Sequence, residues 1–467
     1  MRRHLVRIAA VTALLTLSAC SSSGDSSAGP GTPEPGASGR TGAADGAAAD
    51  GPAYEGPDLP GLAAKPLWSV ERKSTTDTST TVFALGEGTV AIANVVGPEP
   101  SATPAYGTSS DSLRQQTVEL RDVATGTVRK TLNVYGEVSG ETWLGKPAVI
   151  VRGQQPRTKA DDPTAEKPWL IEAYDERGER LGGGEERLSM HDSILQDGWI
   201  LAPEGGSKEA LSVRRVGDTG AGQRMNCSVT DACSYAIARG EVYVVGGGGA
   251  ESKAMAAGTM FKYERAGDTS QTNGRTLVAL DPATGARRWA SDTLVRPAGA
   301  EPAGNTSADG PEVLGSLAGK IVISWAAAGS EDGRVVGLYD PVTGKPAGTG
   351  PTSPAGALFA VADPEGKIAV LATDRDKSRS TAWETASGQT LWQQTRGDDP
   401  LVPVSIVGGI LWANSGNPVA LDARTGNVVA KEPELALTAE ESVPTPVGTR
   451  HAYTIVDRAV HVFAVQP

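Results

Sequence analysis

The residue types that most often carry nucleophilic or metal chemistry are scarce in this chain, which has three cysteines and four histidines. Three of the histidines, His191, His451 and His461, do not have the short spacing of metal ligands, and His191 begins a predicted inner strand as a structural imidazole. No Gly-x-Ser-x-Gly elbow or phosphate-binding loop precedes a predicted helix. We therefore expect no catalytic residue, no metal site and no cofactor.

Cys20 has a defined chemical context. Basic residues precede an apolar run at 8–17, which is the layout of a secretory signal, and Leu17-Ser18-Ala19-Cys20 resembles the lipobox of bacterial lipoproteins. In that motif the cysteine is diacylated and becomes the new N-terminus. We predict a signal peptide at 1–19, a lipid on Cys20 that binds the membrane, and an extracytoplasmic location on the outer face of the bacterial cell membrane. The pair Arg2-Arg3 leaves a twin-arginine export route open as an alternative.

The other two cysteines, Cys227 and Cys233, are close together in the sequence. In an extracytoplasmic protein, a pair of nearby thiols favours a disulfide, and a metal site is the alternative. A disulfide between Cys227 and Cys233 would cross-link the two ends of a loop.

Residues 20–62 consist largely of Ser, Gly, Ala, Pro and Asp. Such a segment cannot bury enough apolar surface to fold, so we predict a disordered, lipid-anchored linker that precedes a folded domain at 63–467. The formal net charge of −12 disfavours binding to nucleic acid or to an anionic bilayer surface. After the signal, no apolar stretch approaches the length of roughly twenty residues that spans a bilayer.

The rest of the chain repeats one phrase, whose fullest copy is V-A-L-D-P-A-T-G at 278–285, followed by Trp289. Alternating apolar residues predict a strand, Asp and Pro favour a turn, and Gly accepts the left-handed φ that returns the chain. Each copy therefore predicts a β-hairpin. The other copies lie at 118–126, 171–178, 211–220, 337–344, 381–388 and 419–426.

Each hairpin is preceded by two further short strands, as at 81–85 and 89–95, or at 235–238 and 241–245. Each repeat thus predicts four antiparallel strands, named A to D in chain order. Such units must hide their edges and their apolar faces, and closure into a propeller does both.

The two ends of the repeat array complement each other. The last repeat supplies strands A to C at 443–447, 452–456 and 459–465, and the segment 65–70 supplies a strand D that has no A to C before it. Their pairing would close an all-β propeller of eight blades. Seven blades is the alternative, if 211–220 is an insertion.

The phrase Ala-Leu-Asp-Pro-x-Thr-Gly-x-x-x-Trp resembles the repeat of the pyrroloquinoline quinone (PQQ) quinoprotein propellers, over nearly all of 66–467. That superfamily includes cofactor-dependent alcohol dehydrogenases and cofactor-free lipoproteins that act as assembly scaffolds in bacterial envelopes. The resemblance implies that Trp68, Trp289 and Trp392 dock neighbouring blades. Its dehydrogenases have an adjacent Cys-Cys pair and calcium ligands. This chain has no adjacent cysteines, and acidic clusters such as Asp161-Asp162 fit solvated loops better.

Connection lengths suggest a binding surface. Long connections follow strand B, at 96–115, 153–167 and 247–274, or strand D, at 293–311, and both types emerge on one face of a propeller, here called the loop-rich face. The A–B and C–D turns form the opposite, plain face. We predict a partner-binding loop within 250–273, with a loop folded over its own blade as the alternative. Its candidate residues are Lys253, Met255, Met260, Phe261, Lys262, Tyr263 and Arg265.

These patterns favour a non-catalytic, lipid-anchored propeller that binds a protein or cell-envelope ligand through its loop-rich face. The alternative is a PQQ- and calcium-dependent oxidoreductase acting on alcohols or sugars. The remaining strand tryptophans are expected to be core residues: Trp143, Trp199, Trp325 and Trp412.

Overall fold

The computed structural model of the chain shows an all-β architecture of eight four-stranded units in a ring. The residues that it describes are 51–72, 80–96, 115–154, 168–186, 193–203, 210–218, 222–226, 242–243, 255–256, 259–265, 275–301, 310–317, 319–330, 333–354, 357–373, 379–395, 398, 401–414, 417–431, 443–456 and 458–466.

In blades 1 to 7 the strands A to D follow chain order across the sheet, whereas strand D of blade 8 is β1, the first strand of the described chain. Blade 1 contains β2 Thr81–Leu85, β3 Thr89–Val95, β4 Gln115–Asp122 and β5 Val128–Tyr135; blade 2 contains β6 Glu137–Trp143, β7 Lys146–Gln154, β8 Trp169–Tyr174 and β9 Arg180–Glu186. Blade 3 contains β10 Ile194–Gln196, β11 Trp199–Pro203, β12 Ala210–Arg215 and β13 Gln223–Asn226; blade 4 contains β14 Val242–Tyr243, β16 Thr259–Arg265, β17 Arg275–Leu280 and β18 Arg287–Ala290, with β15 Met255–Ala256 beside β16.

The second half of the ring has the same order. Blade 5 contains β19 Glu312–Leu317, β20 Lys320–Ala326, β21 Gly333–Tyr339 and β22 Pro346–Pro354; blade 6 contains β23 Ala357–Ala362, β24 Ile368–Thr373, β25 Ser380–Glu384 and β26 Thr390–Gln393. Blade 7 contains β27 Val402–Val407, β28 Ile410–Asn414, β29 Pro418–Asp422 and β30 Val428–Lys431; blade 8 contains β31 Thr445–Val447, β32 His451–Val456, β33 Ala459–Ala464 and β1 Trp68–Glu71.

Blade 8 closes the ring as predicted. Strand β1 pairs antiparallel with β33, so that Trp68 lies opposite Val462 and Glu71 lies opposite Ala459. The prediction of eight blades is confirmed, because β12 and β13 form a true hairpin and 211–220 is therefore not an insertion. The seven-blade alternative is wrong.

The core lies between blades rather than within one sheet, because alternate residues of a strand point to opposite neighbours. On β33, Val460 and Val462 pack with Trp68 towards blade 1, whereas Phe463 packs with Trp412 towards blade 7. Both faces of each sheet are therefore buried. This explains why the inner strands are nearly continuous apolar runs.

The repeated phrase forms one turn geometry in several blades. The Oδ1 atoms of the turn aspartates accept hydrogen bonds from the backbone N–H groups two and three residues later, at 2.7 to 3.1 Å. The closing glycines have left-handed φ angles, 68° at Gly285 and 67° at Gly344. The hydrogen bond from Arg288 lowers the pKa of the Asp281 carboxyl group, and the backbone donors lower it further.

Blade 4 differs from its predicted pairing. The segment 241–245 was expected to be strand B, but Val242–Tyr243 pairs with Lys262 and Phe261 of β16, which takes the B position. Residues 260–265 pair with 275–280 of β17, and a segment that pairs with neighbouring strands forms a strand rather than an open loop. Met255 and Ala256 of β15 pair with the next two residues of β16, Met260 and Thr259. The predicted B–C connection at 247–274 therefore contains strand B itself, and 244–254 lies outside the described residues.

The predicted linker is also too long at its C-terminal end. Residues 51–62 belong to the folded part of the chain, with Leu59 at 4% and Leu62 at 5% exposure. Large apolar side chains in an otherwise small-residue stretch explain the difference, since each can contribute roughly 1.5 to 3 kcal/mol when fully buried.

The A–B turns of blades 2 and 3 meet at a buried carboxylate on the plain face. Asp197 is 5% exposed and has a left-handed φ of 48°. Its Oδ1 accepts the N–H of Gly145 at 2.7 Å, and its carbonyl oxygen accepts the N–H of Leu144 at 3.2 Å. Burial raises the pKa of Asp197, although the hydrogen bonds from Gly145 and Thr142 act in the opposite direction. Its ionised form is therefore disfavoured in the folded state.

We expect Asp197→Asn to be at least as stable as the wild type at pH 7, because Asn keeps the acceptor, tolerates left-handed φ and carries no charge. The folded state binds the Asp197 proton more tightly than the unfolded state does. Wild-type stability should therefore rise relative to the variant as pH falls from 7 towards about 4. Urea midpoints at several pH values measure this difference, and the exposed Asp292→Asn is the control. A variant less stable at pH 7, with a pH-independent gap, would contradict this interpretation.

Candidate functional site

Three tryptophans link neighbouring blades through one repeated contact. The Nε1 of Trp68 donates to the carbonyl of Val123 at 2.8 Å, and Trp392 donates in the same way to Ala423 at 2.9 Å. Trp289 donates to the carbonyl of Pro341 at 3.0 Å. In each case the acceptor is the residue after the Asp or its equivalent in the C–D turn of the next blade.

Glycine is required where these rings dock. The indole of Trp289 lies over Gly344, where an added Cβ would be 2.9 Å from its Cγ, and Trp392 lies over Gly426 at the same distance. The glycine of the repeated phrase therefore serves two purposes. It supplies the left-handed turn, and it leaves the space that the tryptophan of the preceding blade occupies.

Other seams use different side chains at the same place. Between blades 1 and 2, the aliphatic stem of Lys130 covers Gly178. Between blades 2 and 3, Glu186 is 3% exposed and accepts both the N–H of Gly217 at 2.7 Å and the guanidinium of Arg214 at 2.9 and 2.5 Å. The space between neighbouring blades beside this turn can therefore be filled by an aromatic, an aliphatic or an ionic group.

At the loop-rich face, side-chain hydrogen bonds hold the backbone at Gly136, Leu401 and Pro444, where the chain passes from one blade to the next; these positions are here called the braced base. Two of the donors lie at the start of strand C of one blade, and their acceptors lie just before strand A of the next blade. Gln116 donates to Gly136 O at 2.6 Å, and Ser380 donates to Leu401 O at 2.9 Å. Ser405 of blade 7 donates to Pro444 O at 2.6 Å. Because these bonds hold the strand ends, they provide fixed attachment points for the connections on this face.

Charged pairs lie on the inner strands near this face. Glu141 of β6 pairs with Arg152 and accepts the hydroxyl of Ser139 at 2.7 Å. Glu312 of β19 lies 3.7 Å from the guanidinium of Arg334. In each pair a guanidinium that is largely buried has an acidic side chain beside it, which offsets part of the cost of burying the charge.

A serine–histidine contact is present but is covered. Ser69 Oγ and His461 Nδ1 are 2.8 Å apart on paired strands of blade 8, with the two residues at 7% and 2% exposure. The ring of Tyr54 stands edge-on over His461, with centroids 5.0 Å apart. A nucleophile needs access to substrate as well as a base, and this pair has no such access.

The residues of the predicted partner-binding loop do not form one loop in the structure, because most of those described lie on a strand. Met260 and Phe261 are 1% and 0% exposed on β16, so they are core residues and the prediction of a loop at these two positions is wrong. Their register opposite Leu280 and Ala279 places them in the sheet. Lys262, Tyr263 and Arg265 continue the same strand, and Met255 is on β15. Lys253, like Cys20, Cys227, Cys233, His191 and Asp161-Asp162, lies outside the described residues.

Metal-binding groups and membrane spans can be assessed only for the described residues. Within these ranges, no group of three or more His, Cys, Asp or Glu side chains is arranged to hold a metal ion. None of the described residues belongs to a helix with the length and hydropathy of a membrane span.

Comparisons with solved structures give matches of low sequence identity. The chain is similar to BamB from Moraxella catarrhalis, with 13% identity, coverage of 86% of this chain and 99% of that chain, and a TM-score of 0.40. It is similar to the computationally designed Ika8 protein, with 14% identity, 81% and 97% coverage and a TM-score of 0.30. It is also similar to KlHsv2 with loop 6CD replaced by a Gly-Ser linker, with 7% identity, coverage of 81% of this chain and 89% of that chain, and a TM-score of 0.31. No protein-family model and no curated protein matches the sequence.

Removing a docking tryptophan should destabilise the ring. We expect Trp289→Ala to cost about 3 to 5 kcal/mol, because a buried indole is lost, and Trp289→Phe to cost less, because a ring remains. The urea unfolding midpoint measures both effects. Arg287→Ala, with a half-exposed side chain on the same strand, is the control. Equal midpoints for Trp289→Ala and the control would contradict a docking role.

Proposed function

We propose that this chain is a lipid-anchored, extracytoplasmic and non-catalytic propeller that binds a protein or cell-envelope ligand through its loop-rich face. The observation that carries the proposal is the braced base of that face. A closed ring holds the strand ends, and side-chain hydrogen bonds to Gly136, Leu401 and Pro444 fix the connections between blades. Binding loops on a rigid support lose less entropy when a partner binds.

The placement of the connections supports the choice of face. Strands β3 and β4 are separated by 96–114, and β7 and β8 by 155–168; both are B–C connections. The C–D turns are short by comparison, such as 281–286 between β17 and β18. Long connections on a regular scaffold are where binding functions are most often found.

Exposed apolar side chains at the braced base offer contact area. Val96 is 45% exposed at the start of a B–C connection, Tyr135 is 43% exposed at the end of β5, and Val402 is 39% exposed at the start of β27. Tyrosine is enriched in protein interfaces, and the two exposed valines add apolar contact area beside it. A protein surface is therefore the ligand that these residues favour.

The lipid anchor is tested at Cys20. We expect Cys20→Ser to move the protein from the membrane fraction to the soluble fraction, because the serine cannot carry the thioether-linked lipid that provides membrane affinity. Mass spectrometry of the mature N-terminus and membrane fractionation measure the change. Ser21→Ala is the matched control and should remain lipidated. Unchanged membrane association of Cys20→Ser would exclude the proposed anchor.

The binding face is tested with a photo-crosslinking amino acid at three valines of similar exposure. Val96 and Val402 lie on the loop-rich face, and Val342, 40% exposed in a C–D turn, is the control on the plain face. We expect specific adducts in cells at Val96 or Val402 and none at Val342. Adducts confined to Val342 would reverse the assignment of the face. No adduct at any of the three positions would count against a protein partner on this face.

A further inference from the structure

The seam between blades 7 and 8 lacks the docking tryptophan that the seams on both sides of it have. Trp392 lies opposite Ala382 in the register of blade 6, and the corresponding residue of blade 7 is Ala430, opposite Ala420. An alanine methyl group cannot fill the space that an indole occupies. Another group must therefore cover the apolar surface at this seam.

The turn that would receive a tryptophan is missing as well. In blade 8, β33 and β1 are not consecutive in the chain, so no Asp-x-x-Thr-Gly turn joins them. The backbone of 61–63 takes that place: Leu62 forms a bridge with Val465, and Ala63 N–H donates to Ala464 O at 3.0 Å. Gln466 N–H donates to Gly61 O at 2.9 Å.

The side chains of the same segment fill the seam. Leu59 and Leu62 are buried in a cluster with Val407 and Trp412 of blade 7 and Phe463 of blade 8. Tyr54 also packs against this cluster, with its ring edge-on to Phe463 at a centroid distance of 5.2 Å. Apolar contact with both blades is the contribution that a docking tryptophan makes elsewhere.

A glycine again permits the close approach. Gly61 has a φ of 79°, and an added Cβ would lie 2.8 Å from the carbonyl oxygen of Val407. Gly408 of blade 7 approaches from the other side, where an added Cβ would lie 2.5 Å from Gly61 O. The turn Leu59–Leu62, closed by Leu62 N–H to Leu59 O at 3.1 Å, thus fits against the A–B turn of blade 7.

We infer that residues 51–63 form a clasp that occupies the groove between blades 7 and 8 and replaces both the docking tryptophan and the receiving turn. The ring is then closed by two N-terminal elements, the clasp and β1, rather than by β1 alone. An added Cβ on Gly51 would be 1.9 Å from Ser69 O, so the clasp begins directly against β1. The first described residue of the chain therefore lies at this seam. If the proposed anchor is correct, the tether is attached here.

The test is native-state amide hydrogen exchange of the full chain carrying Leu59→Ala and Leu62→Ala. We expect the strands that line the groove, β27, β28, β32 and β33, to exchange on the order of a hundredfold faster, because two buried leucines no longer hold the blades together. Strands β19 to β21, across the ring, should keep their wild-type rates. The control is Leu67→Ala, a 40% exposed leucine next to β1, which should change none of these rates.

Wild-type rates in the groove strands of the folded double variant would overturn the clasp. If the double variant does not fold, exchange of the unmodified chain decides. The clasp requires slow exchange at Ala63 and Gln466, whose N–H groups are hydrogen-bonded across the junction. Fast exchange at both positions, while β33 stays protected, would show that residues 51–63 do not hold the seam. These readouts do not depend on lipidation or on a partner, so they are distinguishable from failure of the proposed function.

Discussion

The structure depends on one constraint: each blade is a sheet that is apolar on both faces, so it is stable only between two neighbours. A linear array would leave two such faces open, whereas a ring leaves none. Strand β1 meets this requirement by pairing with β33, which lets Trp68 reach the turn at Val123 of blade 1. Closure therefore gives the chain its stability and also gives the loop-rich face its rigid base.

Residues that could be mistaken for catalytic groups make structural contacts instead, either between two blades or within one blade. The indole of Trp289 packs over Gly344 of the next blade. Glu186 of blade 2 forms an ion pair with Arg214 of blade 3. Within blade 8, His461 contacts Ser69 and is covered by the ring of Tyr54. Each contact satisfies a buried polar group or fills an apolar gap. These polar contacts therefore belong to the interior of the ring, which is why the proposed binding role rests on the connections between strands.

Much of this fold could be predicted because the repeat encodes its own turn. The spacing of Asp281, Gly285 and Trp289 specifies a hydrogen-bonded turn, a left-handed residue and a docking ring. Blade 4 was mispredicted because Thr259–Arg265 reads equally well as a loop or a strand until its pairing with β17 is known. The clasp was missed because Leu59 and Leu62 gain stability only from blades 7 and 8, which are distant in sequence. Composition alone does not show such contacts.

Hydroxyl-radical footprinting of the protein in its native cells, compared with the purified protein, tests the central claim most directly. The account predicts that side chains of the loop-rich face, such as Val96, Tyr135 and Val402, are protected in cells and reactive when purified. Plain-face side chains such as Val342 and Leu144, of similar exposure, should react equally in both states. Protection of the plain face, with the loop-rich face equally reactive in both states, would contradict it.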